Sequence, residues 1–599
     1  MPFATPIRDM RFTLDHAVGF RALQETGAFE DLSDDLTDAI FTEMAKFADE
    51  VIAPMRVASD QQGASLNDGV VTTTPGFIDA YGKFVESGWN GLSFPTEFGG
   101  QGLPFTLTTA LTDALNAACM GFAIGITLTQ GAIKAVLAHG DERLQRLYLE
   151  KMVSGEWSAT MNLTEPNAGS DVGALRTKAE PAGDGTYRIC GSKIYITYGE
   201  HDLTDNIVHL VLARLPGAPE GAAGISLFLV PKFLVGDDGS LQGRNDVKAV
   251  GLEHKMGLHG SPTCTMAYGE KGECVGYLVG RENKGLACMF TMMNAARLDV
   301  GLQGVGVAEG AFQHALAYAQ DRRQGRAYGE KSGPQVPIIE HPDVRRMLYR
   351  MKSSIEASRA ICYANAVAYD LAHYAPDAEQ KRRAKALEEL LTPISKAWST
   401  DEANATTSLG VQIHGGMGYV EETGAAQFMR DARIAAIYEG TNGIQAIDLV
   451  GRKLPMEGGE VVAGFLEDAL RTAADLKDAS RPELQDMGAR LAEGASALKV
   501  SSDWLMEALR KNPNDALAGA DAYLQQFGLV AGGHYMGRGA LAAARLAEAN
   551  SGDTVYYRSK VSLAGFFAAH RLSEAAGLTQ TVCAGADALA PIEPEALAG

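Results

Sequence analysis

The segment AAIYEGTNGIQ (435–445) is the part of the sequence from which the fold can be worked out. Its first four residues are apolar, and the GTNG that follows Glu439 is typical of a turn before a new helical pattern at Ile444. The pattern places the Glu439 carboxylate at the edge of an apolar wall, beside glycine backbone that a ligand can approach closely. A carboxylate that has lost its hydration is a better proton acceptor near neutral pH. A surface glutamate in a helix-joining turn has the same local pattern, so the choice depends on the rest of the chain.

Length, composition and charge narrow the class of protein. The chain has 599 residues, too many for one hydrophobic core, so we expect three or four domains. A hydrophobic share of 46% and a charged share of 21% are typical of a globular protein. The formal net charge of −21 argues against nucleic-acid and anionic-membrane partners, because both require a basic face.

The cysteines and the first residues indicate the compartment. The seven cysteines form no CxxC pair and show no histidine spacing typical of zinc, so we expect reduced thiols and no metal site. MPFATPIRDMRFTLDH (1–16) lacks the apolar run of a targeting peptide. No stretch approaches the roughly 18 uninterrupted apolar residues of a membrane span. We therefore expect a cytoplasmic protein.

Four regions with different patterns predict an α+β multidomain fold. Residues 1–155 have helical periodicity and are expected to form an α-helical domain without strands. Residues 156–285 contain short β-rich runs such as NIVHLVLARL and ISLFLVPKF, which predict a β-domain. Long helices return in 286–453, a predicted helical bundle that carries Glu439. An Ala-rich helical block, 460–599, follows a linker at 456–459.

The sequence predicts where two helices of the N-terminal domain end. DDLTDAIFTEMAKFADEVIAPM (34–55) has apolar residues at intervals of three and four, and Pro54 is expected to stop the helix. The helix that follows is expected to end near Gly88.

Two segments near the start of the β-domain have residue types that suit a binding site. TEPNAGSD (164–171) combines a turn with the hydroxyls of Thr164 and Ser170, and its exposed backbone N–H groups suit a flat heterocycle or a phosphate. Tyr195 and Thr197 are two residues apart on a predicted strand, so both are expected on one face, with the aromatic ring available to a planar cofactor. A domain-junction loop and a half-buried strand would have the same sequences.

Two other patterns resemble functional motifs but favour a structural interpretation. GVGVAEG (304–310) lacks the spacing and the preceding strand of a dinucleotide fingerprint, so its small residues, with Gly301, predict close helix packing. His414 is expected to have a structural hydrogen bond rather than an acid–base role.

Six segments together resemble one enzyme family. NLTEPNAGSD, KIYIT, KMGLHGSPT, the helix of Arg297, QIHGGMGY and IYEGTNGIQ occur in the order and at the separations of the flavin-dependent acyl-CoA dehydrogenases. The resemblance covers about residues 40–450 and implies a helical domain, a β-domain and a four-helix bundle. The added FTLDHAVGF segment and the C-terminal block resemble a longer branch of the family, which implies a homodimer.

The resemblance also implies roles for individual residues. It implies contacts to FAD from Met161, Leu163, Thr164, Ser170, Tyr195, Thr197, Arg322, Gln324, Gln412, Gly415, Gly416 and Thr441. It implies contacts to an acyl-CoA substrate from Ser170, Arg297, Tyr438 and Gly440. The family pattern often has Trp at the position of Tyr195 and Asp at the position of Asn294.

The resemblance leaves one candidate for the catalytic base. The family places this glutamate either in the YEGT segment or directly before the arginine that Arg297 matches, and the second position is Ala296 here. Glu439 is therefore expected to take the α-proton of the acyl thioester while a hydride moves to flavin N5. The resemblance implies a short, thioether-bearing acyl-CoA as the substrate and an electron-transferring flavoprotein as the acceptor. A dehydrogenase for short- or medium-chain fatty acyl-CoA, an acyl-CoA oxidase and a DNA-associated flavoprotein of the same fold are the alternatives.

Overall fold

The computed structural model describes residues 3–29, 31–550, 552–589 and 591–598, so Met1 and Gly599, the outer limits of two predicted domains, lie outside it. The chain forms two compact units. One contains Pro6–Ser33 and the chain from Val300 onward, and the other contains Phe3–Thr5 and Asp34–Asp299. Each unit is described by itself below.

The N-terminal region is helical, as predicted, but it also contains a hairpin. The helices are α1 Ile7–Phe12, α2 Asp34–Lys46, α3 Arg56–Gln61, α4 Phe77–Glu86, α5 Phe105–His139 and α6 Glu142–Ser154. The expectation of no strands was wrong, because β1 (Ser65–Asn67) pairs with β2 (Val70–Thr72). Asp68 and Gly69 both have positive φ, +48° and +78°, which is the geometry of a two-residue hairpin turn.

Pro54 does not end the helical path. The α-hydrogen-bonding pattern stops at Lys46, a π-helical segment follows over Phe47–Ile52, and the 3₁₀ turn Ala53–Met55 leads into α3. Pro54 lies in the first turn of that 3₁₀ segment, where a backbone N–H is not needed for a helical hydrogen bond. The change of hydrogen-bonding register therefore accommodates the proline without a break.

Helix α5 is the only helix, among the residues that the structure describes, that is long and apolar enough to cross a membrane. Its most apolar window has a mean hydropathy of 1.4, and 94% of that window is buried inside the protein. A core helix meets the same criteria of length and composition.

The β-rich region forms the predicted sheet. The strands are β3 Trp157–Asn162, β4 Lys178–Pro181, β5 Tyr187–Thr197, β6 Asn206–Arg214, β7 Ile225–Pro231, β8 Phe233–Val235, β9 Leu241–Arg244, β10 Val247–Leu252, β11 Thr263–Tyr268 and β12 Val275–Val279. The main sheet has the order β10-β11-β5-β12-β7-β6-β3, and β4 pairs with β5 and β6. The β3–β6 pair is parallel, whereas β5 is antiparallel to β11, β12 and β4.

The central strands of this sheet are buried on both faces. Leu210 and Leu212 of β6 belong to the apolar cluster that includes residues of α5 and α6. Val211 and Ala213 point to the opposite cluster, with Ile196 of β5. Alternate side chains thus pack on opposite faces, which accounts for the uninterrupted apolar runs in the sequence.

Three long helices and two short ones follow the sheet. They are α7 Gly285–Asp321, α8 Pro342–Tyr374, α9 Ala378–His414, α10 Ala425–Ala432 and α11 Asn442–Asp448. An added Cβ at Gly301 would lie 2.4 Å from the Ser395 carbonyl oxygen, and one at Gly304 would lie 2.9 Å from that of Ser399. These glycines therefore permit close approach of α7 and α9, which confirms their predicted packing role.

The additional C-terminal block is helical, as predicted. After a turn with positive φ at Glu457, Gly458 and Gly459, it contains α12 Glu460–Lys477, α13 Pro482–Lys511, α14 Pro513–Ala518, α15 Ala520–Glu548, α16 Thr554–His570, α17 Ala575–Val582 and α18 Pro594–Ala598. Helix α15 packs against α8, α9 and α11 of the bundle.

The N-terminal segment Pro6–Ser33 packs with this C-terminal block. Lys560 of α16 lies 2.6 Å from Asp9 Oδ1 and 2.7 Å from Glu356 Oε1. Arg8 forms an ion pair with Asp553 at 2.8 Å. Lys352 of α8 reaches the other oxygen of Asp9 at 2.7 Å, and these interactions hold the pKa of Asp9 well below its usual value despite burial.

Candidate active site

Glu439 lies in the loop between the short helix Arg433–Ala436 and α11. The residue is half-buried, and its φ of +56° is in the left-handed region that glycine favours. This conformation costs a non-glycine residue on the order of 1 kcal/mol, so surrounding contacts must hold it. Gly440, with a φ of +78°, continues the same turn.

Asn442, the first residue of α11, anchors the loop to α9. Its Nδ2 donates to the Ala397 carbonyl at 3.1 Å, to Thr400 Oγ1 at 3.0 Å and to Asp401 Oδ1 at 2.7 Å. Its Oδ1 accepts a hydrogen bond from Lys396 Nζ at 2.7 Å. Both ends of the amide are thus engaged by one helix.

Gln445 holds the loop from the other side. The residue is fully buried, and its Nε2 donates to the carbonyl oxygens of Gly440 at 3.1 Å and Glu439 at 3.4 Å. These hydrogen bonds bind the two carbonyls that the strained turn would otherwise leave without helical partners. Asn442 and Gln445 thus both hold the loop that contains Glu439.

The neighbours of Glu439 in the loop are also constrained. The Tyr438 hydroxyl donates to Gln303 Oε1 of α7. Burial and the adjacent Glu439 raise the pKa of Tyr438, so its hydroxyl keeps its proton near neutral pH. Thr441 Oγ1 donates to the Ala436 carbonyl at 3.3 Å. The predicted substrate residues Tyr438 and Gly440 and the predicted cofactor residue Thr441 therefore lie in one loop with Glu439.

In the other unit, the two segments predicted to contact the flavin are directly joined. The Ile194 N–H donates to the Thr164 carbonyl at 3.0 Å, and Thr160 Oγ1 donates to the Thr197 carbonyl at 2.6 Å. The end of β3 and the loop after it therefore lie against the end of β5. The structure brings together the five residues predicted on these segments, which are Met161, Leu163, Thr164, Tyr195 and Thr197.

A buried ion pair fixes this junction. Lys193 is fully buried in β5, and its Nζ donates to Glu165 Oε1 at 2.8 Å and to the Leu163 carbonyl at 3.0 Å. Glu165 also accepts from the Arg176 N–H at 2.6 Å and from the Thr177 N–H and hydroxyl at 3.0 and 2.6 Å. Burial lowers the pKa of Lys193 to about 8. Burial alone would raise the pKa of Glu165, but Lys193 and the hydrogen bonds hold it below its usual value.

Tyr195 lies at a bulge where β5 pairs with β11. Its φ is +60°, and the residue is 60% exposed, whereas Ile196 is only 2% exposed. Thr197 is half-buried. The two predicted residues are therefore accessible while the residue between them is in the core, although the strand is not regular at Tyr195.

The two predicted CoA residues of this unit differ in environment. Ser170 is exposed on the loop after β3. Arg297 of α7 is 7% exposed, and its Nη1 donates to Asn294 Oδ1 at 3.3 Å. Asn294 thus contacts the arginine from the position where the family pattern often has Asp. Ala296, the alternative position for a base, is buried and has no ionisable group.

The remaining predicted cofactor residues lie on exposed segments of the C-terminal unit. Arg322 Nη2 donates to Gln324 Oε1 at 3.3 Å, so these two residues contact each other. Gln412 is in the last turn of α9, and Gly415 and Gly416 are the first two residues after that helix. An added Cβ at either glycine would meet no atom within 4 Å, which leaves their backbone open to a ligand. The roles of these residues stay predictions.

His414 has the structural role expected of it. Its Nδ1 is 2.7 Å from the Gly410 carbonyl, and its ring stacks on Tyr318 with centroids 4.4 Å apart. Burial lowers the pKa of His414, so the ring is neutral near pH 7.

The sequence analysis missed four residues that position these segments: Asn442, Gln445, Lys193 and Glu165. Each is polar and buried. Gln445 and Lys193 bind backbone carbonyls of predicted site residues, whereas Asn442 and Glu165 fix the segments that carry those residues. The Asn in the GTNG turn was visible in the sequence, but its partners on α9 lie 41 to 46 residues earlier, so the turn pattern alone gave no signal of its role.

A helical domain, a β-domain and a helical bundle, in this order, are the architecture that the sequence resemblance to flavin-dependent dehydrogenases predicts. Family models match along the chain: "Acyl-CoA dehydrogenase, N-terminal domain" at 35–156, "middle domain" at 160–269, and "C-terminal domain" at 283–454. "Acetyl-CoA dehydrogenase C-terminal like" matches 462–593. The chain belongs to the acyl-CoA dehydrogenase family, and it is an oxidoreductase with acyl-CoA dehydrogenase activity.

Individual relatives agree with this assignment. The chain is 45% identical over 575 residues to 3-methylmercaptopropionyl-CoA dehydrogenase of Ruegeria pomeroyi. The aligned region covers 96% of this chain and 97% of that protein. It is 35% identical to a butyryl-CoA dehydrogenase of Syntrophomonas wolfei, over 94% of this chain and 93% of the relative. The fold matches an acyl-CoA dehydrogenase of Bacillus anthracis complexed with FAD, with a TM-score of 0.73, 22% identity, and coverage of 92% and 88% of the two chains.

FAD is the cofactor, and the residues of the β-domain fit it. Tyr195 is exposed, and Thr164 and Thr197 are not fully buried, so the joined segments offer an aromatic ring and two hydroxyls to a ligand. A planar, polar-edged heterocycle requires this combination of a stacking surface and hydrogen-bonding groups.

Proposed function

We propose that the chain converts 3-(methylthio)propanoyl-CoA to 3-(methylthio)acryloyl-CoA, with Glu439 as the catalytic base. The relative with 45% identity is named for this substrate, and the similarity extends over 96% of the chain. The reaction is a step of dimethylsulfoniopropionate degradation. We further propose a cytoplasmic homodimer with an electron-transferring flavoprotein as the electron acceptor, and no nucleic-acid or membrane partner.

The chemistry requires a base at a fixed place. Removal of the α-proton puts negative charge on the thioester oxygen, and that charge must be stabilised for a weak carbon acid to react. Glu439 would take the α-proton, and its backbone N–H would donate a hydrogen bond to the thioester oxygen. When bound, FAD supplies the acceptor for the hydride that leaves the β-carbon. Loss of one proton and one hydride leaves the carbon–carbon double bond.

The other site residues take the roles implied by the family resemblance. Ser170, Arg297, Tyr438 and Gly440 contact the substrate. The FAD contacts come from Met161, Leu163, Thr164, Ser170, Tyr195, Thr197, Arg322, Gln324, Gln412, Gly415, Gly416 and Thr441. The support for this assignment is that hydrogen bonds join the end of β3 and the loop after it to the end of β5, the segments that carry Met161, Leu163, Thr164, Tyr195 and Thr197.

The observation that carries the proposal is the conformation of Glu439. A glutamate with a φ of +56°, held by two buried amides, is the kind of strained residue that a structure maintains at a functional position. Glu439→Gln is expected to retain FAD, measured by its visible absorbance, and to lose about 10³-fold in kcat. Glu422→Gln, at an exposed position of the same unit, is the matched control and should keep full turnover. Turnover by Glu439→Gln within tenfold of the parent enzyme would overturn the assignment.

The acyl group needs a separate test, because the relative with 35% identity is named for butyryl-CoA. Pentanoyl-CoA is the closest matched control, since it replaces the thioether sulfur by a methylene at the same chain length. The proposal expects the highest kcat/KM for 3-(methylthio)propanoyl-CoA in a series with butanoyl-, pentanoyl-, hexanoyl- and octanoyl-CoA. A higher kcat/KM for butanoyl-CoA would identify a short-chain fatty acyl-CoA dehydrogenase instead.

The electron acceptor is tested with the same substrate. Turnover should require an electron-transferring flavoprotein or an artificial dye. Hydrogen peroxide formation at the same rate without either would identify an acyl-CoA oxidase. Tight DNA binding at moderate salt would favour the DNA-associated alternative.

A further inference from the structure

A hydrogen-bonded chain connects the additional C-terminal block to the loop of Glu439. Gln525 of α15 has its Nε2 2.7 Å from Asp401 Oδ2. The other carboxylate oxygen of Asp401 accepts from Asn442 Nδ2, also at 2.7 Å. Asn442 begins α11, three residues after Glu439. The path from the C-terminal block to the candidate base thus passes through two side chains, Asp401 and Asn442.

The direction of these hydrogen bonds follows from their chemistry. Lys396 Nζ can only donate, so the Asn442 atom that faces it at 2.7 Å is the carbonyl oxygen. The Asn442 amide nitrogen must therefore face Asp401, which accepts. The remaining Asp401 oxygen then accepts from the Gln525 amide. One orientation of the Asn442 amide satisfies every partner, and Asp401 binds its amide nitrogen in that orientation.

Packing keeps α15 close to this part of α9. An added Cβ at Gly528, three residues after Gln525, would lie 2.2 Å from the ring of Trp398. Trp398 is fully buried and lies on α9, three residues before Asp401. Because Gly528 has no side chain, α15 can pack closely against α9, the helix that binds Asn442. The contact between Gln525 and Asp401 therefore lies in a closely packed region.

We propose that Gln525 is a positioning residue of the enzyme, through which the C-terminal block orients Asp401, then Asn442, and so sets the place of Glu439. The proposal rests on the proposed role of Glu439 as the base. The C-terminal block then contributes to the rate of proton removal, and not only to the stability of the bundle. Gln525 acts at a distance and does not touch the substrate.

The first test is Gln525→Met in the full-length holoenzyme, with the same substitution at the exposed Gln485 of α13 as the matched control. Misplacement of a catalytic group by a fraction of an ångström to 1 Å reduces rates by roughly 10- to 100-fold. We expect a loss of about tenfold in the rate of anaerobic flavin bleaching by saturating 3-(methylthio)propanoyl-CoA, or by butanoyl-CoA if that is the preferred substrate. KM and FAD content should stay within twofold of the parent, and Gln485→Met should bleach at the parental rate.

Two outcomes of this test would overturn the proposal. One is a bleaching rate for Gln525→Met within twofold of the parent at full FAD content. The other is a loss that appears only with loss of FAD or with a raised KM, because that pattern belongs to a general structural defect.

A double-mutant cycle tests whether Gln525 acts through Asp401. Asp401→Ala should slow bleaching at least as much as Gln525→Met, and the double variant should match Asp401→Ala within twofold, because the second change removes a link that is already broken. A bleaching rate of the double variant that is reduced by the product of the two single losses would contradict the proposal that Gln525 acts through Asp401. Glu439→Gln is measured alongside: an active Glu439→Gln refutes the base itself, whereas an inactive one with a fully active Gln525→Met refutes only the positioning role.

Discussion

Replacement of Lys193 by methionine tests how much the buried ion pair contributes to the β-domain. The change keeps the apolar stem and removes the ammonium group, which leaves the Glu165 carboxylate buried without its cation. Loss of one partner of a buried pair typically costs 3–5 kcal/mol of folding free energy. Glu165 would keep three hydrogen bonds, from the Arg176 N–H and from the N–H and hydroxyl of Thr177. We therefore expect a loss near the lower end, about 3 kcal/mol.

Urea unfolding of the holoenzyme, followed by tryptophan fluorescence, measures this loss, since Trp157 lies in β3 of the same domain. Lys151→Met removes an exposed cation whose partner is Glu156 and is the matched control, expected within about 1 kcal/mol of the parent. Addition of Glu165→Gln to Lys193→Met should restore about 1–2 kcal/mol by removing the uncompensated charge. A loss below 1 kcal/mol, or a further loss in the double variant, would refute the reasoning.

Three further predictions concern the loop and the sheet. Gln445→Leu should lower kcat by about 100-fold with FAD retained, because the carbonyls of Glu439 and Gly440 lose their donor; an unchanged kcat would contradict this. Glu439→Gly should be inactive yet more stable in thermal unfolding than the equally inactive Glu439→Ala, by on the order of 1 kcal/mol, since only glycine relieves the positive φ. Burial, with Lys232 and Arg244, lowers the pKa of His209 to about 3 in the folded protein. As the pH drops from 6.5 towards 3, the unfolded chain therefore binds a proton that the folded protein does not, and the free energy of unfolding falls. His209→Phe should reduce this pH dependence, measured as the urea midpoint of unfolding between pH 7 and pH 4.

The sequence predicted the parts of the site that depend on local pattern. Short β-rich runs placed β5, β6 and β7, and the GTNG turn placed Glu439 before a helix. The close packing of Gly301 followed from the same kind of evidence, since small residues at helical spacing have few other uses. In each case the residues that form the sequence pattern lie within a few positions of one another in the chain.

The anchors could not be predicted because their partners are distant in sequence. Lysine is almost never fully buried unless it is paired, and the partner of Lys193 is 28 residues earlier in the chain. Asn442 resembles an ordinary turn residue until α9, 41 to 46 residues earlier, is placed beside it.

Two fold features were missed for a different reason. The β1–β2 strands have only three residues each, too few for an alternating pattern, although the Asp68-Gly69 turn was visible. At Pro54 the helix changes its hydrogen-bonding register, which residue propensities do not encode.

The packing of Pro6–Ser33 with the C-terminal block has a consequence for synthesis on the ribosome. Arg8 and its partner Asp553 are 545 residues apart. At roughly 5–20 residues per second, the newly made segment waits about half a minute to two minutes before its partners emerge. Its apolar side chains, Met10 and Leu14 among them, are exposed for that time. Chaperone capture of the nascent chain should therefore fall when this segment is moved to follow α18 in a circular permutant.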